Sequence, residues 1–532
     1  MTGAARRRGE AFARLATESF DVLVIGGGAT GAGTALDAAS RGLKVALVER
    51  SDFAAGTSSR STKLVHGGVR YLEQAVKHAD RSQFSLVREA LRERAVLLRN
   101  APHLARPLPL LTPIYGALEL PYYFTGLKLY DMLAGKANLA PSRLLGRPEA
   151  AERFPMLKRD GLRGAVEYHD GQFDDARMNV TLALTAAEHG AVVTNHAEVV
   201  SLVKRGGRVA GAEVVDRLDP GAAPVEVSAR VVVNATGPFA DAIRRLDDPD
   251  APDMLKTSSG VHVVLPARFS PPDTGLLIPK TEDGRVLFLL PWLGHTLVGT
   301  TDNPAPVEAD PVASDADVEY ILRHVRRYFD LPVEAADVLS AWSGLRPLVE
   351  PEAGGGEGKA TARLSRDHVI ATSGSGLVTV TGGKWTTYRS MAEDTVDAAV
   401  AVGDLTPARG CVTHDMPLVG AERFEPEGHA RLRSVHGLPE DVALHLHRAY
   451  GDRAEDVARL AADGLGQRLA PGHPYLEAEV VYARDVELAC TADDVLARRL
   501  RLAFLDAAAA ESARPRVEEL LTREDTAPLA AG

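Results

Sequence analysis

Residues 57–73, TSSRSTKLVHGGVRYLE, set five hydroxyls (Thr57, Ser58, Ser59, Ser61, Thr62) among Arg60, Lys63, His66 and Arg70. Such side chains offer hydrogen bonds and positive charge to small anions, above all the oxygens of a pyrophosphate or a phosphate monoester. Upstream, Gly26-Gly27-Gly28-Ala29-Thr30-Gly31 has the GxGxxG spacing, and Glu49 ends the apolar run that follows. Gly26 permits a tight turn, Gly28 lets backbone approach a pyrophosphate, and Gly31 lets a helix pack close to a strand. The helix N-terminus then faces the phosphates, while Glu49 accepts hydrogen bonds from a ribose 2′-OH. A bare GxGxxG is a weak signal. Here its context carries it.

That context is a βαβ unit of about thirty residues. FDVLVIGGG (20–28) reads as a buried strand running into glycines, ATGAGTALDAASRGL has helical spacing, and KVALVER (44–50) is a second apolar strand. In NAD-binding enzymes further βα repeats follow such a unit. Here the polar loop follows directly, where it can run beside a pyrophosphate and a ribityl chain. Ser58 and Ser59 are the hydroxyls assigned to those groups, with Ser61 and Thr62 as helix caps. Lys63 and His66 bridge toward the ring, and Gly67 lets the backbone pass close to it. A late return, GGKWTT (382–387), can bring backbone N–H groups to a flavin ring. These features favour FAD over NAD.

The remaining elements divide the chain. Residues 81–99 form an amphipathic helix, and 107–148 alternate Pro, Gly and aromatics as an insertion. Residues 178–190 read as helix, 191–203 as one strand and 225–237 as a buried strand. Short β segments fill 258–300, and the chain after Thr406 is mostly helical. The expected FAD-binding domain is discontinuous, from 20–100, 150–255 and 360–400. A substrate or cap domain takes 101–149 and 256–359, and a helical C-terminal domain takes 405–525.

Composition excludes several classes. With 61 basic and 72 acidic residues the net charge is −11, which disfavours nucleic acid as a partner. Cys411 and Cys490 stand far apart outside any metal-ligand spacing, so neither a disulfide framework nor a metal site is expected. No apolar run is long enough to span a bilayer. The N-terminus, MTGAARRRGE, lacks the apolar segment of a secretory signal and reads as an unfolded tail. A cytoplasmic protein is expected, with a peripheral place on the inner face of the cell membrane as the extension of that reading.

The combination VIGGGATGAG, TSSRSTKLVHGGVRYLE, NATGP, VGTTD, SGLRPL and GGKWTTYR resembles the FAD-dependent, quinone-linked glycerol-3-phosphate dehydrogenases, over about residues 20 to 400. The helical segment beyond is similar to that family's C-terminal domain in length and position. The resemblance implies an α/β fold. Its parts are a Rossmann-type FAD-binding domain of the glutathione-reductase and D-amino-acid-oxidase kind, a mixed β-rich substrate domain and an all-helical C-terminal domain. It implies oxidation of sn-glycerol 3-phosphate to dihydroxyacetone phosphate by hydride transfer from C2 to flavin N5, with electrons passed to membrane quinone.

A substrate phosphate needs fixed cations, including a forked guanidinium. The matched segments supply Arg70, Arg346 and Lys384 for it, and the family match adds Tyr71 and His262 to the pocket. His262 is the preferred base, because imidazole titrates near neutrality. Val199, Gly237, Gly383 and Thr386 complete the cofactor contacts. Each of these residues has a plain alternative. A loop arginine is commonly a solvated charge or a loop-bracing ion pair, and a strand histidine a satisfied core residue. The aromatic stretch 118–135 reads either as a membrane-docking surface or as domain-interface core, and a homodimer is left open. The rival activities are a glycerophosphate oxidase using O2 and an amine or amino-acid oxidase of the same fold.

Overall fold

The computed structural model describes residues 3–68, 72, 81–116, 119–279, 281–282, 284–349 and 368–523. Two sheets organise them. In the first, the strands Val378–Gly382, Val225–Asn234, Ser19–Ile25, Val45–Val48 and Val192–Thr194 run parallel in that order, with His368–Thr372 antiparallel at one edge. Parallel strands are covered on both faces, which is why Val22, Leu23, Val24 and Leu47 read as unbroken apolar runs and are fully buried. The helix Ala29–Ser40 packs against the helices Asp175–Glu188 and Tyr388–Gly403. Small residues on it allow the close approach: a Cβ at Gly33 would meet the Tyr388 ring.

The second sheet is mixed. Its longest antiparallel pairings, toward opposite sides of the sheet, are of Leu255–Pro266 with Ser340–Val349 and of Ala105–Ile114 with Gly164–Phe173. Leu64–Val65 also joins this sheet, through Gln172 and Gly171. The sequence division places 64–65 and 164–173 in the FAD-binding part. Both pair within the second sheet, since neither carries the unbroken apolar run from which a strand can be read in sequence. The stretch 191–203 is likewise two strands, Val192–Thr194 and Ala197–Arg205, separated at His196, where φ is +50°.

The N-terminal segment is not a tail. Gly3–Thr17 is a helix, and the Arg8 guanidinium is buried against Asn195 and Asp216, the latter at 2.6 Å. The C-terminal region is helical, from His429–His436 through Ala507–Thr522. It joins the nucleotide-binding part by buried ion pairs. Arg499 grips Asp52 at 2.7 and 3.0 Å, and Arg177 meets Glu487 at 2.8 Å. No described helix is long and apolar enough to cross a membrane.

Candidate active site

A cavity of about 2000 Å³ runs between the two sheets. That exceeds the size of an ordinary small-ligand pocket and suits a dinucleotide together with a substrate. At one end it meets the glycine turn. Gly26 has φ +105°, and a Cβ there would press on the Ala235 carbonyl at 2.7 Å. Gly28 is on the wall. Gly31 lies behind it, where any Cβ would overlap the Gly26 carbonyl. Ser58 Oγ reaches the same helix start and accepts the Ala29 N–H at 2.9 Å. Glu49 accepts N–H groups from Gly27 at 2.6 Å and Ser51 at 2.8 Å. Burial pushes its pKa up and those donors oppose the shift. Two backbone donors thus hold the carboxylate on the wall, with oxygen lone pairs left for a ribose. Val199 and Gly237 line this same end.

The same cavity is lined by the substrate candidates. His262, Arg346 and Lys384 are on the wall, as are His66, Gly383 and Thr386. Strand register explains the first two. His262 lies opposite Gly299 on one side and Trp342 on the other, and its ring stacks on the indole at 4.3 Å. At Gly299 a Cβ would run into the imidazole, and at Gly260 into the Arg346 guanidinium. Two strand glycines therefore make the room that the two catalytic candidates occupy. Alternation puts Trp342, Gly344 and Arg346 on one face of their strand.

Arg346 is held rigidly. It bonds Asp302 at 3.1 Å, Thr300 Oγ1 at 3.0 Å, and the carbonyls of Ser259 and Thr301 at 3.3 and 3.0 Å. It is thus both ion-paired and directed to the cavity. His262 Nε2 shares a hydrogen bond of 3.0 Å with Thr62 Oγ1, itself a wall residue. Burial, followed by the charges of Lys63 and Arg346, holds the His262 pKa well below the ordinary imidazole value, so the ring is neutral at neutral pH. Gly382 and Gly383, with φ +82° and +70°, turn the chain from the last parallel strand into Lys384. Thr386 Oγ1 accepts the His66 N–H at 3.1 Å, which ties that turn to the polar loop.

Three of the loop's predicted site residues are not on the wall. Ser59 is buried. Lys63 is wholly buried, its ammonium 2.6 Å from Asp175 and 2.7 Å from the Ser59 carbonyl, so the expected reach toward a cofactor is replaced by an internal ion pair. Burial pulls its pKa down to about 7, and Asp175 opposes this. Gly67 donates its N–H to Tyr130 Oη at 2.7 Å, behind the cavity, while Gly68 lines it. Arg70 and Tyr71 lie outside the described residues.

Sequence reasoning missed the residues that hold these groups from a distance. Asn179 Nδ2 donates to the Gly27 carbonyl at 2.7 Å, and Trp385 Nε1 donates to Ser58 O at 2.8 Å. Arg50 covers the Phe239 ring at 4.8 Å on the nucleotide side. Asn179 had no local pattern to mark it, while Trp385 and Arg50 lie within quoted segments that gave them no role. The aromatic helix Glu119–Ala134 is divided in use. Leu127 and Tyr130 are core, Tyr123 and Leu129 line the cavity, and Tyr122 and Met132 are 47% and 76% exposed.

Fold and cavity define a flavin-dependent oxidoreductase. The family model described as FAD dependent oxidoreductase matches residues 21–389, and that of the C-terminal domain of alpha-glycerophosphate oxidase matches 411–526. The chain is 51% identical over 523 residues to the mitochondrial glycerol-3-phosphate dehydrogenase of Mesocricetus auratus, covering 96% of this chain and 71% of that one. Against the Arabidopsis thaliana mitochondrial enzyme of the same name, identity is 49% over 534 residues, covering 96% and 84%. The crystal structure of the Bacillus halodurans glycerol-3-phosphate dehydrogenase complexed with FAD superposes with a TM-score of 0.78 at 31% identity, covering 98% of this chain and 95% of that one. The chain belongs to the FAD-dependent glycerol-3-phosphate dehydrogenase family.

Proposed function

We propose that the protein oxidises sn-glycerol 3-phosphate to dihydroxyacetone phosphate with FAD as cofactor, and passes the electrons to a membrane quinone. The carrying observation is a neutral, buried imidazole lining a dinucleotide-sized cavity that a rigid guanidinium and an ammonium also line. Gly26, Gly28, Glu49 and Ser58 would hold the nucleotide half of FAD, and Gly383 and Thr386 the neighbourhood of its ring. The bound flavin supplies the hydride acceptor.

This chain's residues then do the rest. A phosphate monoester carries nearly two negative charges, its second pKa being about 6. Arg346 and Lys384 answer that charge, with Arg70 as the third cation. His262 takes the C2 hydroxyl proton, because its neutral form predominates at neutral pH and it lies on the wall beside the Thr62 hydroxyl. Asp302 and the Thr301 carbonyl fix the guanidinium before substrate arrives, so no reorganisation is needed at the moment of reaction.

For quinone delivery, the helix Glu119–Ala134 is the segment we assign to a membrane surface. Its exposed Tyr122 and Met132 support this, as does the continuity of Tyr122 and Tyr123 with the cavity wall. The test is anaerobic addition of glycerol 3-phosphate to the FAD-loaded protein, followed by either oxygen or a soluble quinone analogue. Flavin bleaching with fast reoxidation only by the quinone is expected. A flavin that stays yellow refutes the substrate, and fast reoxidation by oxygen refutes the acceptor.

A further inference from the structure

Lys63 has no solvent exposure, although a lysine stem ordinarily carries its ammonium to water. Its backbone is left-handed, with φ +63°, and so is that of Arg501 in the C-terminal helical region, with φ +66°. Neither residue is glycine, so the surrounding packing must hold both in a conformation that L side chains disfavour. The two cations meet at one place. Lys63 Nζ and Arg501 Nη2 each donate to the Ser59 carbonyl at 2.7 Å. Asp175 lies against both, 2.6 Å from Lys63 Nζ and 3.4 Å from Arg501 Nη2. The ammonium also stands 4.5 Å from the ring centre of Trp342, the indole that stacks on His262. The residue preceding Lys63 is Thr62, which bonds His262 Nε2.

We propose that Lys63 is a positioning residue for His262, acting through Trp342 and Thr62, and that Asp175 and Arg501 hold it in place. The inference rests on His262 being the proton acceptor. A fixed cation against the indole disfavours a second positive charge on the stacked imidazole, and so keeps His262 able to accept a proton. The left-handed turn at Lys63 also fixes the backbone that carries the Thr62 hydroxyl. The other charged groups around the pair are Arg346 and Asp302 beside the imidazole, Asp174 and Arg501 beside the ammonium, and Arg60 on the same loop. Arg346 acts in the same direction as Lys63, and Asp302 is engaged by Arg346. The C-terminal helices thereby reach the reacting end of the cavity without lining it there.

The experiment is a pH titration of the His262 imidazole by NMR of carbon-labelled histidine in the FAD-bound protein. The resonance is assigned by its loss in His262→Gln. In Lys63→Met the midpoint should rise by about one pH unit, and the acid limb of anaerobic flavin reduction should rise with it. Asp175→Asn removes the negative charge that offsets the ammonium and should move the midpoint the opposite way, to lower pH, which keeps the test open if Lys63→Met fails to fold. An unchanged midpoint in FAD-loaded variants overturns the proposal. Loss of folded, FAD-bound protein in both variants also overturns it, in favour of a purely structural cluster. A wild-type flavin that glycerol 3-phosphate does not reduce would count against the proposed substrate alone, since the titration needs none.

Discussion

At the scale of single residues, Arg346 and His262 make separable demands. Arg346 is fixed by its own carboxylate and carbonyl partners, so Arg346→Ala removes a cation that the cavity has already oriented. FAD should remain bound, while anaerobic reduction by glycerol 3-phosphate should slow by about 10²–10³-fold, the cost of losing one preorganised donor to developing charge. Stopped-flow absorbance of the flavin reads both quantities. For His262 the sign follows from its lowered pKa. A base acts in its deprotonated form, and burial with the Lys63 and Arg346 charges keeps that form present below the ordinary imidazole range. The rate of flavin reduction should therefore be flat across pH 6.5 and fall only in distinctly more acidic solution. An acid limb centred near 6.5 would remove His262 as the base.

Elements place these residues by register. Gly299 faces His262 across one strand pair and Trp342 faces it across the other, so the imidazole lies between a gap and a flat ring. Gly299→Ala puts a methyl group against the ring. FAD binding should survive, because the atoms nearest the added methyl all belong to His262. Flavin reduction should fall on the order of 100-fold, the effect of displacing a reacting group by about 1 Å. Stopped-flow rates beside a flavin-to-protein absorbance ratio would check this. At this scale the sequence was partly legible. The glycine turn, the helix after it and the strand ending at Glu49 all carry local patterns. The pairing of Leu64–Val65 with Gly164–Phe173 carries none, since the first is two residues long and the second mixes apolar residues with Glu167, His169, Asp170 and Gln172.

For the whole molecule, the helical C-terminal region is joined to the nucleotide-binding part through buried charge. Asp52 is fully buried and receives Arg498 at 2.6 Å, Arg499 at 2.7 Å and Asn195 at 2.9 Å. Asp52→Asn removes the carboxylate that Arg498 and Arg499 share and leaves them to Asp494 and Glu487, which should cost about 3 kcal/mol. The thermal unfolding midpoint should drop, and flavin fluorescence should report earlier FAD release. A midpoint equal to wild type would show that the network is dispensable.

The sequence by itself determined the nucleotide-binding unit, the family it belongs to and the helical region after it. Those features are written in short runs, where chain geometry ties residue type to local conformation. Only the tertiary structure decided what each polar group of residues 57–68 faces. Thr62, read as a cap, meets a histidine two hundred positions away, and Lys63, read as a cofactor contact, is claimed by Asp175. Partners so distant in the chain are brought together by sheet pairing and burial, and no local spacing encodes which carboxylate will lie beside a given lysine.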